Sequence, residues 1–345
     1  MHTAGALITM GIPGPQLDGA TRELLERVKP GCIVLFRRNV DAGFDALQRL
    51  IADLHALPWE PLVAIDHEGG RVVRLGEPFT HFPPMAVVGA RNDPALAHDV
   101  AFAMGRELAA VGLDLVYAPV LDTLSCPANT VIGDRAFGSE VQRVARLGAA
   151  QVRGFLAAGI LCCGKHFPGH GDTDVDSHFD LPRVTADIDV LRRRELVPFR
   201  TAIEAGVPML MTAHVLYAAI GHDTPASFDS FWLRTVLRDH LRFPGVVVSD
   251  DLEMGAVTKR MRPAEAAVRA ISAGADGVLI CQSGTAALEA VKALTAAIES
   301  QPSLRTGAES AWQRWHALRE RRSKLPRHPC PLPCAEHRRL AESLA

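Results

Sequence analysis

No stretch of the 345-residue chain runs through 18 consecutive apolar residues, so no membrane-spanning helix is expected. No GxGxxG and no GxxxxGK(S/T) follows an apolar run, which removes the residues that a dinucleotide fold or a P-loop needs. HExxH is absent as well. So is an HxH pair after the first apolar run, which opens instead into "TMGIPG"; the usual ligands of a barrel metallohydrolase are missing there. Charge of one sign is also lacking: 37 Lys and Arg face 39 Asp and Glu, for a formal −2. The mixture leaves no face for nucleic acid and no basic helix for a membrane surface. The clusters Arg192–Arg194 and Arg319–Lys324 sit in helical contexts and read as solvated faces. The start, "MHTAGALITMGIPG", has no basic leader or cleavage pattern and reads as a first strand. The seven cysteines are odd in number and lack framework spacing; Cys32, Cys162, Cys163 and Cys281 lie in apolar runs, as buried reduced thiols do. A cytoplasmic location is therefore expected. Cys330 and Cys334 flank prolines near the C-terminus, where a zinc knuckle would need two more ligands and only His328 and His337 are near, so no metal is expected.

What is present is ample material for a core, with 48% hydrophobic residues. Short apolar runs recur at Ala4–Thr9, Cys32–Phe36, Leu62–Ile65, Leu113–Ala118, Ile160–Cys163, Pro208–Thr212, Val246–Ser249 and Gly277–Ile280. Segments of helical period alternate with them, among them Phe44–Leu57, Pro94–Val111, Glu140–Ala158 and Val190–Ala205. Several strands follow a glycine that can end the preceding helix, such as Gly31, Gly112 and Gly159. Strict alternation of strand and helix implies a parallel sheet, and eight such units predict an α/β fold with a single (β/α)8 TIM-type barrel. A further helical stretch, Glu309–Arg322, follows the eighth unit. The expected organisation is one catalytic barrel domain over residues 1–325, with that extra helix, and a Pro-containing tail over 326–345.

Barrel chemistry belongs at the C-terminal ends of the strands. Read there, polar groups keep appearing where apolar runs stop: Asp66, Asp122, Lys165 with His166, His214, and Asp250 with Asp251. The densest stretch is "KHFPGHGDTDVDSHFDLP", from Lys165 to Pro182. A metal site is one reading, but Pro168, Gly169 and Gly171 forbid a helix that would hold His166 and His170 on one face. A polar surface loop is another. The third is proton transfer: in "DSH", Asp176 stands two residues before His178, and a carboxylate can hold an imidazole's tautomer and raise its pKa. Dipeptide spacing alone does not decide among the three.

The longer stretch "KHFPGHGDTDVDSH" resembles the signature of bacterial β-N-acetylhexosaminidases of glycoside hydrolase family 3, the type that recycles peptidoglycan. The resemblance continues through "GCIVLFRRNV", "AIDHEGGRVVRL", "FTHFPPM", "APVLDT", "VIGDRAFG", "MTAHV" and "VVSDDLEMGA", in the family's order, over about residues 4–300. It implies a retaining glycosidase on a lone barrel. Asp250 matches the nucleophile, which would form a covalent glycosyl-enzyme. His178 and Asp176 match the acid/base dyad that this branch uses in place of a second carboxylate. Asp66, Arg74, Arg135, Lys165 and His166 match sugar-binding positions. His67 departs from the pattern, since the family commonly carries glutamine there.

The resemblance implies a carbohydrate partner, GlcNAc-containing muropeptides, with no cofactor, no metal, no nucleic acid, no membrane and a monomeric enzyme. Alternatives from other classes are a family 3 phosphorylase, in which phosphate replaces water, a metal-dependent barrel hydrolase, and a non-catalytic sugar-binding relative.

Overall fold

The computed structural model describes residues 3–173, 177 and 180–344. Asp176 and His178 lie outside the described residues. Eight parallel strands close into a barrel: β1 (Ile8–Gly11), β2 (Cys32–Leu35), β3 (Leu62–Ile65), β4 (Leu115–Val116), β5 (Leu161–Phe167), β6 (Met209–Thr212), β7 (Val246–Asp251) and β8 (Gly277–Ile280). Each strand pairs with its neighbours in sequence, and Ile8 opposite Val278 closes the ring. Runs such as "CIVL" and "LVAI" are buried at every position, because helices cover one face of the sheet and barrel side chains the other.

The outer layer comprises α1 (Gly19–Val28), α2 (Phe44–His55), α3 (Pro94–Ala110), α4 (Val141–Ala158), α5 (Leu196–Glu204), the π-wound α6 (Phe231–His240), α7 (Pro263–Ala273) and α8 (Gly284–Ser300). Then come α9 (Pro302–Lys324) and a short α10 (Ala335–Glu342). Capping is local and visible in the sequence: Asp18, Asp93 and Ser283 each accept a backbone N–H two or three residues on.

All eight expected strands are present, and the sheet is the parallel barrel anticipated. Several bounds differ: β4 is shorter, β5 and β7 run on to Phe167 and Asp251, and two further differences have a clear local cause. The first strand begins at Ile8, because Ala4–Leu7 forms a 3₁₀ turn pressed onto the end of α1. Gly5 is required there: a Cβ at this position would lie 1.7 Å from the Val28 carbonyl oxygen. The helical stretch Val190–Ala205 is broken between Ile188–Arg193 and Leu196–Glu204. At the break Glu195 turns inward, with its side chain only 1% exposed, and accepts from Ser125 Oγ at 2.9 Å and Arg194 Nε at 2.6 Å.

At the floor of the barrel, Asp114 precedes β4 and binds Arg322 and Arg327, each at 2.7 Å, and His55 at 2.8 Å. Asp276 precedes β8 in the same way and binds Arg238 and Arg314, while its carbonyl takes Trp315 Nε1 at 2.8 Å. These acids tie α9 and the segment after it to the strand starts, the end of a barrel where charge serves stability rather than chemistry. Among the described residues no helix is long and apolar enough to cross a membrane.

Candidate active site

At the opposite end the strand termini surround a cavity of about 610 Å³, within the range of small-ligand sites. Asp66, Arg74, Arg135, Lys165, His166 and Asp250 all line it. Six of the eight residues singled out by sequence therefore meet in one place. The other two, Asp176 and His178, lie outside the described residues; Ser177 lines the cavity and is 2% exposed.

Chain topology explains the convergence. Asp66 follows β3 directly, and the short hairpin His67–Gly69 with Val72–Val73 places Glu68 and Arg74 beside it. Lys165 and His166 are residues of β5, joined by a cis peptide, and Arg135 ends the 3₁₀ turn Gly133–Arg135. Lys165 Nζ donates to Asp66 at 2.9 Å and reaches Glu68 Oε1 at 2.6 Å. Arg135 forks onto Glu68, with Nε at 2.8 Å and Nη2 at 2.9 Å, and Arg74 reaches the second Asp66 oxygen at 3.3 Å. Burial alone would raise the Asp66 carboxyl, but Lys165 and Arg74 outweigh it and hold it below its usual value. Glu68 is likewise pulled down far below the carboxylate range, against its burial, by Arg135 and Lys165. Burial opposes the Lys165 ammonium, yet Asp66 and Glu68 raise its pKa, so the cluster is fully charged. Ion pairs of this kind aim fixed donors and acceptors at a ligand rich in hydroxyls.

Glu68 was not singled out by the sequence reading, although it stands in "DHEGG". Its signal was the pairing need of two cations expected in the same cavity. Asp122 was read only as a rim residue. It is fully buried and organises the His166–His170 turn, accepting from His166 Nδ1 at 2.7 Å and from the His170 amide at 2.7 Å. His170 uses both ring nitrogens, on Ser177 Oγ at 3.0 Å and Thr173 Oγ1 at 2.9 Å, and burial pushes its pKa down to about 4. Gly171 is needed here: a Cβ would lie 1.7 Å from the Thr123 carbonyl oxygen. His67 faces away from the cavity lining; it is 3% exposed, and burial brings it down to about 4, a neutral imidazole.

The two aspartates of β7 separate clearly. Burial would raise Asp250, but His166 and His214, with the Asp251 amide at 2.8 Å and Lys165, hold it below its usual value. Asp251 instead caps a turn, accepting from the Glu253 amide at 3.1 Å and the Cys281 amide at 3.3 Å. Burial lifts its carboxyl to about 7. At neutral pH Asp250 is thus the ionised carboxylate at the strand end, and Asp251 is partly protonated. The turn, rather than a helix N-terminus, is what Asp251 caps.

A parallel barrel carrying a paired Asp–Lys–Glu–Arg cluster opposite an ionised strand-end aspartate has the layout of a glycoside hydrolase. Residues 5–309 match the glycosyl hydrolase family 3 N-terminal domain, and the chain belongs to that family. It is 40% identical over 287 residues to the β-hexosaminidase of Nitrosospira multiformis, covering 81% of each chain. Among solved structures it is similar to a family 3 β-N-acetylglucosaminidase from Paenibacillus, with a TM-score of 0.92 and 38% identity over 99% of this chain and 67% of that one. It is also similar to NagZ from Neisseria gonorrhoeae in complex with N-trifluoroacetyl-D-glucosamine, with a TM-score of 0.78 and 33% identity over 92% of this chain and 96% of that one.

Proposed function

We propose that this family 3 β-N-acetylhexosaminidase releases N-acetylglucosamine from the non-reducing end of muropeptides, in the cytoplasm, as a monomer serving peptidoglycan recycling. The observation that carries the chemistry is the ionised Asp250 at the end of β7, facing the same cavity as the Asp66–Lys165–Glu68–Arg135 cluster. Asp250 attacks the anomeric carbon as the glycosidic C–O bond breaks, and a covalent glycosyl-aspartate forms with inversion. His178, oriented by Asp176, gives its proton to the departing oxygen. It then takes a proton from water, which attacks the same carbon and restores the β configuration. Asp66 accepts from sugar hydroxyls, while Arg74, Arg135, Lys165 and His166 hold the ring and its acetamido group. The activities named for the relatives, and the N-acylglucosamine bound to the Neisseria protein, support the choice of sugar.

His166 supports a second reading of the acid/base, because its Nδ1 already meets the Asp122 carboxylate at 2.7 Å inside the cavity. Asp122 is committed to two backbone amides as well, however, which suits a residue that fixes a turn.

The test is a panel of chromogenic β-glycosides, with product anomers followed by NMR, with and without phosphate. Rapid release of β-N-acetylglucosamine independent of phosphate is expected. Equal kcat/KM on glucosides would overturn the choice of sugar. First-formed α product would overturn retention, and a glycosyl phosphate would make the enzyme a phosphorylase.

A further inference from the structure

Outside the cavity the described residues hold one cluster of three side chains with metal-binding chemistry, and it lies in the C-terminal segment. The sequence "CPLPCAEH" spaces its groups as Cys330, then Cys334 four residues on, then His337 three further. We propose that Cys330, Cys334 and His337 bind a zinc ion that clasps this segment to the barrel wall.

The three residues each offer a ligand atom within 4.8 Å of the other two. Zinc–sulfur bonds of about 2.3 Å and zinc–nitrogen bonds of about 2.0–2.1 Å in a tetrahedron set ligands roughly 3.5–3.8 Å apart, so little movement is needed. Cys330 is 6% exposed and His337 3%, so two of the three ligands lie against the barrel wall. Cys334 is the residue before the first turn of α10 and is only partly buried. Both thiols are free. Two thiolates and an imidazole are soft or borderline donors that suit zinc and not magnesium or calcium.

The supporting groups match a metal site better than a plain packing contact. Glu107 of α3 is 2% exposed and lies 2.8 Å from His337 Nδ1, so this nitrogen belongs to the carboxylate and Nε2 is the one that would bind zinc. Thr80 holds the carboxylate in turn, through its amide at 2.8 Å and its hydroxyl at 2.7 Å. A carboxylate behind a ligating imidazole is the usual outer partner of zinc. His328, the other histidine near in sequence, is exposed and offers only its carbonyl, to Arg106, so the fourth position falls to solvent. The clasp would add to the contacts that already seat this segment, where Leu325, Leu332, Leu340 and Ala341 pack on the core and Arg327 binds Asp114. None of the three ligands lines the cavity.

The test uses the full-length protein, purified with a reductant, incubated with zinc sulfate and desalted, with metal content read by mass spectrometry of the ashed sample. About one zinc per chain is expected. Cys330→Ser/Cys334→Ser should abolish it, and His337→Gln should do so independently if the double variant folds poorly. Glu107→Gln should keep the stoichiometry but weaken binding roughly 10–100-fold in competition with a chromophoric chelator. A chelator should lower the melting temperature of the wild type to that of the double variant and leave the double variant unmoved, while initial rates stay equal. Zinc-free wild-type protein after loading would overturn the proposal, as would zinc content that survives both sets of substitutions. A chain lighter by two hydrogens, with two fewer titratable thiols, would replace the metal with a disulfide.

Discussion

Glu68→Gln keeps the side chain's shape and removes one negative charge from the middle of the cluster. In the native chain that carboxylate meets Lys165 at 2.6 Å and Arg135 at 2.8 and 2.9 Å. Once it is gone Lys165 keeps Asp66 at 2.9 Å, whereas Arg135 keeps only the Val131 carbonyl at 3.0 Å. Removing one partner of a buried pair costs about 3–5 kcal/mol, chiefly by stranding the other charge. With one of its two cations still paired, the lower end applies, and a loss of about 3 kcal/mol is expected from denaturant unfolding at neutral pH. The pH dependence follows from the direction of the shift. Glu68 is depressed in the folded chain, against its burial, by Arg135 and Lys165. Its contribution is therefore complete above the unfolded value of about 4.3 and is lost as pH falls further. The stability gap between the two proteins should be full at neutral pH and narrow below about pH 4. Freed of Glu68, Arg135 and Lys165 lose the partner that fixes them in the cavity, where the proposed function has them hold the sugar. A fall of about 10²-fold in kcat/KM is expected, the usual consequence of misplacing a positioning group by about 1 Å. A variant within about 0.5 kcal/mol of the native protein, with unchanged kcat/KM, would refute the view that this carboxylate organises the site.

Asp250→Ala should lower kcat by roughly 10⁴-fold or more with the fold retained, and a slow 2-fluoro glycoside should label Asp250 in the native enzyme; a label on Asp251 by peptide mapping would reverse the assignment. Brief exposure to a chelator should leave initial hydrolysis rates unchanged, because the proposed chemistry runs through Asp250 and the dyad alone. A loss restored by zinc that persists in the Cys330→Ser/Cys334→Ser variant would place a metal in the cavity.

The strands were legible because a barrel strand is buried on both faces, so runs such as "CIVL" and "LVAI" carry no polar interruption and stop where the rim begins. For the same reason Asp66 and Asp250 stood out, as charges at the exact end of apolar runs. Glu68 did not, since its meaning depends on Arg135 and Lys165, which are distant in sequence and meet it only in the closed barrel. The break before Leu196 has a mark in "VLRRRELVPF" that helical period hides: Pro198 has no N–H for the Arg194 carbonyl and crowds it, and Ser125 and Arg194 then hold the buried Glu195 at the break. The contrast between Asp250 and Asp251 was only half visible. Adjacent identical residues differ because burial is outweighed at Asp250 by two histidines and a lysine, whereas Asp251 is buried beside Glu253 and Asp250. His337 drew notice from spacing, but its carboxylate partner, Glu107, lies on a helix at the other side of the sequence.

Two histidine–aspartate pairs compete for the proton, and kinetics can separate them. His178 is favoured by its match to the family dyad, with Asp176 as its orienter. His166 is favoured by its observed contact with Asp122 and its place in the cavity lining. His170 is unsuited, because burial holds it near 4 and both ring nitrogens are engaged. His214 is shifted the same way by burial, so it too is neutral at working pH. A general acid contributes about 10²–10⁴-fold, but only in proportion to the leaving group's need for a proton. His178→Ala should therefore slow alkyl and sugar leaving groups by about that factor and activated phenolates much less in the glycosylation step. Azide, which attacks without surrendering a proton, should restore turnover where the second step limits. Asp176→Ala should give the same pattern, and the double variant little more, because the pair acts as one unit. His166→Ala should instead weaken the hold on the sugar and lower kcat/KM by a similar factor for every leaving group, with no response to azide. If the two patterns are exchanged, His166 with Asp122 is the acid/base and His178 is not.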